Sequence, residues 1–493
     1  MEKIFVRGPR FVDEKGRERI FNGVNFVYKG CRPGEDGVIH YQTDLNGELL
    51  DRLVARGINL LRLGVTWAGI EPECGRYNTV YLDEVKEVLR LCESRGVYVY
   101  LDWHQDLFSC YCSVDGDGAP KWACPRSKKP RPHYIIWAEA YVFGTAVRHA
   151  FDDFWNNVPV NGRGLRDRFC DMLQYTVRYF SEFSCIMGYD VFNEPFPGSD
   201  GPKLFRNIVA NAAATILLSK RVDKKFLLER IRQFDVMGAL SVADDPIVYH
   251  GVIDRAAKRL NRFDVGVYYD FLCAAGAAIR KAGGEGVLFM ENSYFSNLGI
   301  PCLTPNVVYE DGTPESQLAF APHGYDITVD TPLTNTASTH RVSFIFKEHK
   351  NKQQRQNLPV VVGEWGGMVP GSDEYPALEF LISLFDQNRW SQTYWHYHEG
   401  FADNGIMKVL SRPYPQSVAG EIRSYGYDRQ RKEFHLSYFG SPDIKAPTLI
   451  YLPQKPTKIY STKKYILKPV GDACLLQVYA GKGHCCVTAE FDG

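Results

Sequence analysis

Short apolar runs alternate with amphipathic segments between residue 20 and residue 396. The runs have the length and composition of buried strands, and most are followed by segments with the 3.6-residue spacing of helices. The eight runs are Ile20–Val27, Asn59–Trp67, Val97–His104, Gly188–Glu194, Gly286–Asn292, Leu318–His323, Leu358–Gly367 and Ser391–His396. Strands that alternate with helices favour parallel crossover connections, so the pattern predicts an α/β fold, a (β/α)8 TIM barrel over residues 1–412.

Two regions depart from this alternation. Residues 198 to about 262 hold an apolar helix at Leu204–Leu218 and a basic break at Lys220–Lys225, and we interpret them as an insertion. A lid over a cleft and a plain surface elaboration explain the insertion equally well. After Arg412 the chain changes to short alternating segments, which predict a small C-terminal all-β sandwich over residues 413–493. We expect this domain to pack against the barrel. The alternative is that it binds carbohydrate or lipid.

A long polar loop, from Leu107 to about Pro132, follows the third predicted strand. Loops of this length inside a compact domain are usually functional. Cys110, Cys112 and Cys124 lie close together in it, but their spacing fits no zinc pattern. We therefore expect no metal site here.

Composition narrows the class of protein. The chain has 493 residues, of which 45% are hydrophobic and 24% charged, with a formal net charge of zero, as in ordinary globular proteins. Neutrality argues against nucleic acid as the main partner, because a phosphate backbone requires a basic face. The N-terminus lacks a secretory signal pattern and no apolar run reaches the ~20 residues of a membrane span. These features predict a cytoplasmic protein whose 13 cysteines are reduced thiols, although a secreted chain with its signal removed stays open.

Polar side chains gather at the C-terminal ends of the predicted strands, the rim that carries catalysis in such barrels. One strand ends at Asn193-Glu194-Pro195, because proline has no N–H with which to continue the pairing. Another ends at Glu364 and then glycines. Two carboxylates on separate strand ends are the smallest set of catalytic groups that can cleave a glycosidic bond. The polar rim residues are Arg62, His104, Asp106, Asn193, Glu194, His323, Tyr325, Glu364 and Trp395.

The order of these motifs resembles glycoside hydrolase family 5, and within it the endoglycoceramidases and their glycosylceramidase relatives. Beside the rim residues, the segments that carry the resemblance are Asn25–Lys29, Asp102–Asp106, Gly116–Pro120, Phe151–Trp155 and Arg412–Gly420. The ordered set covers residues 20 to 420, which makes the resemblance specific.

The resemblance implies a retaining mechanism without a metal or an organic cofactor. Glu364 would attack the anomeric carbon, and Glu194 would act as the general acid and then the general base. Around this pair, the resemblance implies contacts with Glu364 or the sugar from Lys29, Arg62, His104, Asp106, Trp155, Asn193, His323, Tyr325 and Trp395.

Three functions follow as expectations. The first is cleavage of the bond between sugar and ceramide in glycosphingolipids, with an apolar groove partly lined by the insertion and with peripheral contact to membranes or lipid aggregates. The second is hydrolysis of other lipid, steryl or aryl glucosides. The third is glycolipid binding without cleavage, against which the intact pair of carboxylates argues.

Overall fold

The computed structural model describes residues 1–127, 133–134, 136–372 and 374–492. The last part of the predicted loop, residues 128–132, lies outside the described residues. Over the rest, the structure confirms the predicted fold class, a (β/α)8 barrel followed by a small all-β domain. Within the described residues, none of the helices combines the length and the apolar character needed to cross a bilayer.

Eight parallel strands close into the barrel. The strands before residue 395 are β1 (Ile4–Val6), β2 (Phe11–Asp13), β3 (Glu18–Arg19), β4 (Asn22–Val27), β5 (Leu60–Val65), β6 (Tyr98–Trp103), β7 (Pro159–Val160), β8 (Arg163–Gly164), β9 (Ile186–Asp190), β10 (Val287–Met290), β11 (Leu318–Phe320), β12 (His323–Gly324), β13 (Val361–Val362), β14 (Glu364–Trp365) and β15 (Ser391–Tyr394). The barrel order is β11-β10-β9-β6-β5-β4-β15-β13, and a parallel bridge from Phe320 to Val360 joins its two ends. Nearly all residues of these strands are buried, as expected for strands covered by helices.

Helices connect the strands and surround them. They are α1 (Gly47–Ala55), α2 (Trp67–Ile70), α3 (Thr79–Ser94), α4 (Glu139–Phe143), α5 (Thr145–Trp155), α6 (Leu165–Tyr179), α7 (Gly201–Leu218), α8 (Lys224–Arg232), α9 (Val236–Leu240), α10 (Pro246–Ile253), α11 (Ala257–Asp264), α12 (Val267–Lys281), α13 (Thr339–Gln356), α14 (Pro376–Asn388) and α15 (Gly405–Leu410). Short 3-10 turns lie at Lys121–Ala123, Gly198–Asp200, Ser241–Asp244, Asp254–Ala256, Tyr294–Leu298, Thr334–Thr336 and Phe401–Asp403. The side chain of Asn78 accepts a hydrogen bond at the start of α3, and Gly96, with a φ of 68°, follows its end. Helices α7 to α11 occupy the predicted insertion.

The sixth and seventh predicted strands each break just before their polar end. Pro322 separates β11 from β12, and Gly363 separates β13 from β14. The two outer pieces, β12 and β14, then pair with each other in parallel, with His323 opposite Glu364. The break therefore sets two predicted site residues side by side at the rim.

Apolar side chains fill the opposite end of the barrel. Ile4 and Phe11, from the first two strands, pack with Phe21, Tyr100 and Phe289 in one cluster at the N-terminal end of the barrel strands. The polar cluster therefore lies above an apolar floor.

The C-terminal domain has two antiparallel sheets. Its strands are β16 (Tyr414–Val418), β17 (Gly420–Asp428), β18 (Glu433–Gly440), β19 (Thr448–Leu452), β20 (Lys458–Ser461), β21 (Tyr465–Val470), β22 (Ala473–Val478) and β23 (Gly483–Glu490). One sheet has the order β1-β2-β3-β16-β19-β22-β21 and the other β17-β18-β23-β20. The sequence-based division at residue 412 assigns β1 to β3 to the barrel, whereas the structure pairs them with this sheet through β3 and β16.

Polar contacts join the two domains, next to the buried ion pair of Arg412 with Asp386 of α14 at the end of the barrel. The hydroxyls of Tyr414 and Tyr451 donate to the carbonyl oxygens of Gly57 and Ala55, at 2.7 and 2.8 Å. These contacts fit the role in packing that the sequence suggested, and a binding role for the domain stays a prediction.

The prediction that all cysteines are free thiols is wrong for two of them. Cys31 and Cys110 form a disulfide between the loops that follow β4 and β6. The two residues are 79 positions apart, and only the barrel brings their loops together. Because Cys110 is bonded to Cys31, it is not available for the cysteine metal site considered in that loop.

Candidate active site

Glu194 and Glu364 converge at the C-terminal end of the barrel. One oxygen of each carboxyl and one nitrogen of His323 all lie within 4.8 Å of one another. A retaining glycosidase holds its two carboxyls about 5–5.5 Å apart, and an inverting enzyme leaves about 6.5–9.5 Å for a water. The close approach of these oxygens fits the shorter spacing of the retaining arrangement.

The backbone at Glu194 is held in an unusual conformation. Its φ is 44°, in the left-handed region that non-glycine residues seldom occupy. Its N–H donates to Oε2 of Glu291 at 2.7 Å, which stabilises this turn. The turn directs the Glu194 side chain toward Glu364.

Two donors orient the carboxylate of Glu364. Nη1 of Arg62 donates to Oε1 at 2.7 Å, and the hydroxyl of Tyr325 donates to Oε2 at 2.9 Å. With each oxygen held by a different donor, the carboxylate is fixed in rotation. This is the preorganisation that an attacking group requires.

Glu194 has a different environment. Nδ2 of Asn297 donates to its Oε1 at 2.6 Å, and Nδ1 of His323 lies 3.1 Å from the same atom. Burial raises the pKa of Glu194 to about 7, a rise that the charge of Glu364 supports and the contact with His323 opposes. A carboxyl with this pKa can give up and regain a proton near neutral pH.

Arg62 organises the base of the site. It is fully buried and contacts four carboxylates: Glu364, Glu291 at 2.8 Å, Asp190 at 2.9 Å and Asp102 at 3.0 Å. Burial lowers the pKa of Arg62, but the effect of the four carboxylates is larger and raises this pKa well above its usual value. Burial and the charge of Glu291 raise the pKa of Asp190 well above its ordinary value, which reduces the negative charge that Arg62 balances.

Sequence reasoning missed Glu291, Asp102, Asp190 and Asn297. Glu291 follows β10 directly, so the strand-end argument used for the other rim residues also applies to it. Asp102 and Asp190 lie within predicted strands, where a buried carboxylate indicates a charged partner. Asn297 lies in a 3-10 turn, and no pattern in the sequence pointed to it.

A second cluster lies beside the carboxyl pair and joins Lys29, His104, Asp106 and Trp395. The ammonium of Lys29 contacts Asp106 and lies 4.9 Å from the centre of the Trp395 ring. The ring of His104 stacks on Trp395 at 5.5 Å, and its Nδ1 lies 2.8 Å from Asp102. Burial lowers the pKa of His104, but Asp102 and Asp106 raise it to about 10. The cluster offers charged partners for hydroxyls next to an aromatic face.

Asn193 is placed in the site with both ends of its amide engaged. Its oxygen accepts from Nη2 of Arg62 at 2.9 Å, and its nitrogen donates to the carbonyl of Gln105 at 3.0 Å. One N–H of the amide remains for a further acceptor.

The structure places Trp155 in an aromatic cluster, and its predicted contact with the sugar stays a prediction. Its indole N–H donates to the carbonyl of Phe196 at 2.7 Å, and its ring packs in an aromatic cluster with Phe192, Phe263 and Phe271. The residue is buried behind the Glu194 turn and supports it from within the core. The helical spacing at the end of α5 could not distinguish this position from one that faces the cleft.

Three groups of histidine and carboxylate side chains among the described residues have the spacing of a cation site. They are His104-Asp106-Asp117, Asp190-Glu291-His323 and Glu194-His323-Glu364. The pKa of His104 is raised to about 10, and Glu291 and Glu364 raise that of His323 well above its usual value although burial lowers it. Protonated imidazoles donate protons and hydrogen bonds, which suits these groups to proton transfer and sugar binding.

The fold and the two carboxyls define a barrel hydrolase that acts on glycosidic bonds. Family models agree: residues 36–219 and 269–400 match "Cellulase (glycosyl hydrolase family 5)", and residues 412–465 match "Glycoside hydrolase family 5 C-terminal domain". The chain therefore belongs to glycoside hydrolase family 5, and it is a retaining glycoside hydrolase. Residues 220–268, most of the predicted insertion, lie between the matched stretches.

Individual relatives extend the comparison. An endoglycoceramidase of Cyanea nozakii is 31% identical over 465 residues, which cover 89% of this chain and 81% of the relative. Two solved structures share the fold. A ganglioside complex of endo-glycoceramidase II from Rhodococcus has a TM-score of 0.73 at 20% identity, covering 99% and 100% of the two chains. Sterylglucosidase 1 of Cryptococcus neoformans has a TM-score of 0.71 at 16% identity, covering 100% and 97%.

Proposed function

We propose that this enzyme hydrolyses the β-glycosidic bond between sugar and ceramide in glycosphingolipids. The observation that carries the proposal is the pair of converging carboxyls with unlike environments, one oriented by Arg62 and Tyr325 and the other with a raised pKa. The similarity to an endoglycoceramidase over most of both chains supports ceramide as the leaving group.

The first step is attack by Glu364. An oxygen of its carboxylate forms a bond to the anomeric carbon while the bond to the ceramide oxygen breaks. Glu194 in its protonated form, which a pKa of about 7 keeps populated near neutral pH, gives its proton to the departing oxygen. Ceramide leaves as a neutral alcohol, and the sugar remains as an ester of Glu364.

The second step uses a change in charge. Once Glu364 is esterified it no longer carries the negative charge that helps to raise the pKa of Glu194, so this pKa falls. Glu194, now ionised, takes a proton from a water that attacks the anomeric carbon. Glu364 is released as a carboxylate, and the sugar keeps the β configuration.

The neighbouring cluster would hold the sugar. In this proposal Lys29, Asp106 and His104 exchange part of their mutual contacts for hydroxyls of the ring next to the cleaved bond. Trp395 supports the face of that ring. Asn193 offers its remaining N–H to the hydroxyl adjacent to the anomeric carbon.

Glucosides of sterols are the second candidate substrate, because a sterylglucosidase shares the fold over nearly the whole chain. Glucosylceramide, lactosylceramide and a steryl glucoside, compared as substrates by mass spectrometry of the released sugar, separate the candidates. Preferential release from a ceramide glycoside supports the proposal, and release from the steryl glucoside alone overturns it.

Two variants control this assay. We expect Glu364→Gln to lower turnover at least about a thousandfold while leaving the melting temperature close to that of the wild type, since the amide cannot attack. Glu379→Gln, on the outer helix α14, removes a carboxylate away from the site and should keep full activity.

The cytoplasmic location expected from the sequence also stays a proposal. Fractionation of cells that express the chain tests it.

A further inference from the structure

Helix α7 of the insertion carries a row of exposed apolar residues. Phe205, Val209, Ala213 and Leu217 follow each other at intervals of four, so they lie on one face of the helix, and all are exposed. Leu218, at the end of the helix, is 80% exposed. A surface helix normally turns such a face toward the core.

The next helix of the insertion also exposes apolar residues. Leu228 and Ile231 of α8 are three positions apart and exposed, and Phe234, just after α8, is 90% exposed. Large apolar residues occur singly on most surfaces, whereas contiguous apolar patches indicate a binding surface.

Both helices already have a buried apolar side. Ile216 of α7 packs on a small core made of Val222, Leu227 and Val248, which joins α7, α8 and α10. The exposed rows are therefore second apolar faces, and the insertion folds without burying them. We call the exposed apolar residues of the two helices, together with Phe234, the apolar platform. They are Phe205, Val209, Ala213, Leu217 and Leu218 of α7, Leu228 and Ile231 of α8, and Phe234.

Charge around the platform is positive. Residues 198–262 contain twelve Lys and Arg and seven Asp and Glu, an excess of five positive charges in a chain of zero net charge. Lys224 and Lys225 are exposed at the start of α8, and Lys224 shares a helical face with Leu228 and Ile231. Basic residues beside apolar ones are the composition that binds the surface of an anionic bilayer.

The insertion is connected to the mouth of the active site. It starts directly after the Glu194 turn, and its Asp244 accepts hydrogen bonds from Ser338 and Arg341, each at 2.8 Å. These two residues follow the rim segment that begins with Tyr325. The insertion that carries these helices is thus anchored to the segment that follows the barrel rim.

We propose that the platform docks the enzyme on anionic lipid bilayers. The apolar row enters the boundary between headgroups and acyl chains, and the lysines face the lipid phosphates. This inference deepens the proposed function, because a ceramide glycoside is embedded in a bilayer. The biological purpose of docking therefore rests on the proposed substrate. The docking itself needs no glycolipid and is tested without one.

The test compares two triple variants in sedimentation with vesicles. Leu217→Ser/Leu218→Ser/Phe234→Ser removes the most exposed side chains of the platform. Phe439→Ser/Ile466→Ser/Val470→Ser removes three exposed apolar side chains from the C-terminal domain. We expect the platform variant to bind phosphatidylserine-rich vesicles about tenfold or more weakly than the wild type, and the control variant to bind normally.

A charge variant tests the lipid class. Lys220→Glu/Lys224→Glu/Lys225→Glu should weaken binding to vesicles rich in phosphatidylserine and leave the weaker binding to pure phosphatidylcholine unchanged. The proposal is overturned if the wild type, the Leu217/Leu218/Phe234 variant and the Lys220/Lys224/Lys225 variant all bind phosphatidylserine-rich vesicles equally. A wild-type dimer that the platform substitutions dissociate without a change in vesicle binding also overturns it, because a second copy then covers the platform.

Hydrolysis of a water-soluble aryl glucoside keeps the two proposals separate. All these variants should retain it, since their substitutions lie outside the site. Loss of vesicle binding with retained hydrolysis supports docking. If the wild type binds vesicles but releases no sugar from ceramide glycosides, the proposed substrate fails and the docking surface stands.

Discussion

His323 stands opposite Glu364 in the parallel register of β12 and β14, and its Nδ1 lies 3.6 Å from Oε2 of Glu364. The same nitrogen is 3.1 Å from Oε1 of Glu194. Glu291 and Glu364 raise the pKa of this imidazole well above its usual value against the effect of burial. A positive charge therefore lies between the nucleophile and the acid, and it sets the pH at which the acid works.

Removing that charge should shift the pH profile. His323→Gln can keep a hydrogen bond to Glu194 but not the charge, so we expect the pKa of Glu194 to rise. Because the general acid must be protonated, the alkaline limb of kcat against pH should move to higher pH. His349→Gln is the matched control: burial lowers the pKa of His349 to about 3, so it carries no charge at neutral pH. The same limb in wild type and His323→Gln would contradict the assignment.

The need for the acid depends on the leaving group. We expect Glu194→Gln to lower kcat about a hundredfold to ten-thousandfold on a ceramide glycoside, because an alkoxide is a poor leaving group without a proton. On a dinitrophenyl glycoside, which leaves as a stable phenolate, the formation of the glycosyl-enzyme should be nearly unaffected. Burst kinetics separate the two steps. A uniform loss on both substrates would show that Glu194 acts in another role.

The two tryptophans with predicted sugar contacts should respond differently. Trp395→Ala removes the aromatic face beside Lys29 and His104, so we expect kcat/KM to fall about tenfold or more, equivalent to about 1.4 kcal/mol. Trp155→Phe loses the hydrogen bond to Phe196, at a cost to unfolding free energy of about 1 kcal/mol, and keeps its kcat/KM. Steady-state kinetics and urea unfolding of both variants check this. A large kinetic loss in Trp155→Phe with unchanged stability would return Trp155 to the sugar site.

Strand ends were the most readable feature of the sequence. Asn193-Glu194-Pro195 and Glu364 stand out because proline and glycine end apolar runs, and the barrel brings such ends to one rim. Lateral contacts were not readable. The pairing of β3 with β16, the disulfide between Cys31 and Cys110, and the donation from Asn297 to Glu194 join residues far apart in sequence. Trp155 shows the remaining limit, because helical periodicity does not say which neighbours meet a buried face.

The buried carboxyl of Glu18, in β3, should make stability depend on pH. Burial raises the pKa of Glu18 to about 7, against the hydrogen bond that Oε2 accepts from the N–H of Ile422. The folded protein thus holds this proton more tightly than the unfolded chain, whose value is 4.5. Below pH 4.5 Glu18 is protonated in both the folded and the unfolded protein, so its burial does not lower stability there. As pH rises to about 7, ionisation of Glu18 in the unfolded chain lowers the free energy of unfolding by about 3 kcal/mol.

Glu18→Gln keeps an acceptor for Ile422 and should remove this loss. It should therefore stabilise the protein at about pH 8 and change little at about pH 4. Urea unfolding at both pH values measures the difference, with Glu14→Gln as a matched control from the same N-terminal segment, and an equal effect at both values would contradict the pKa of Glu18.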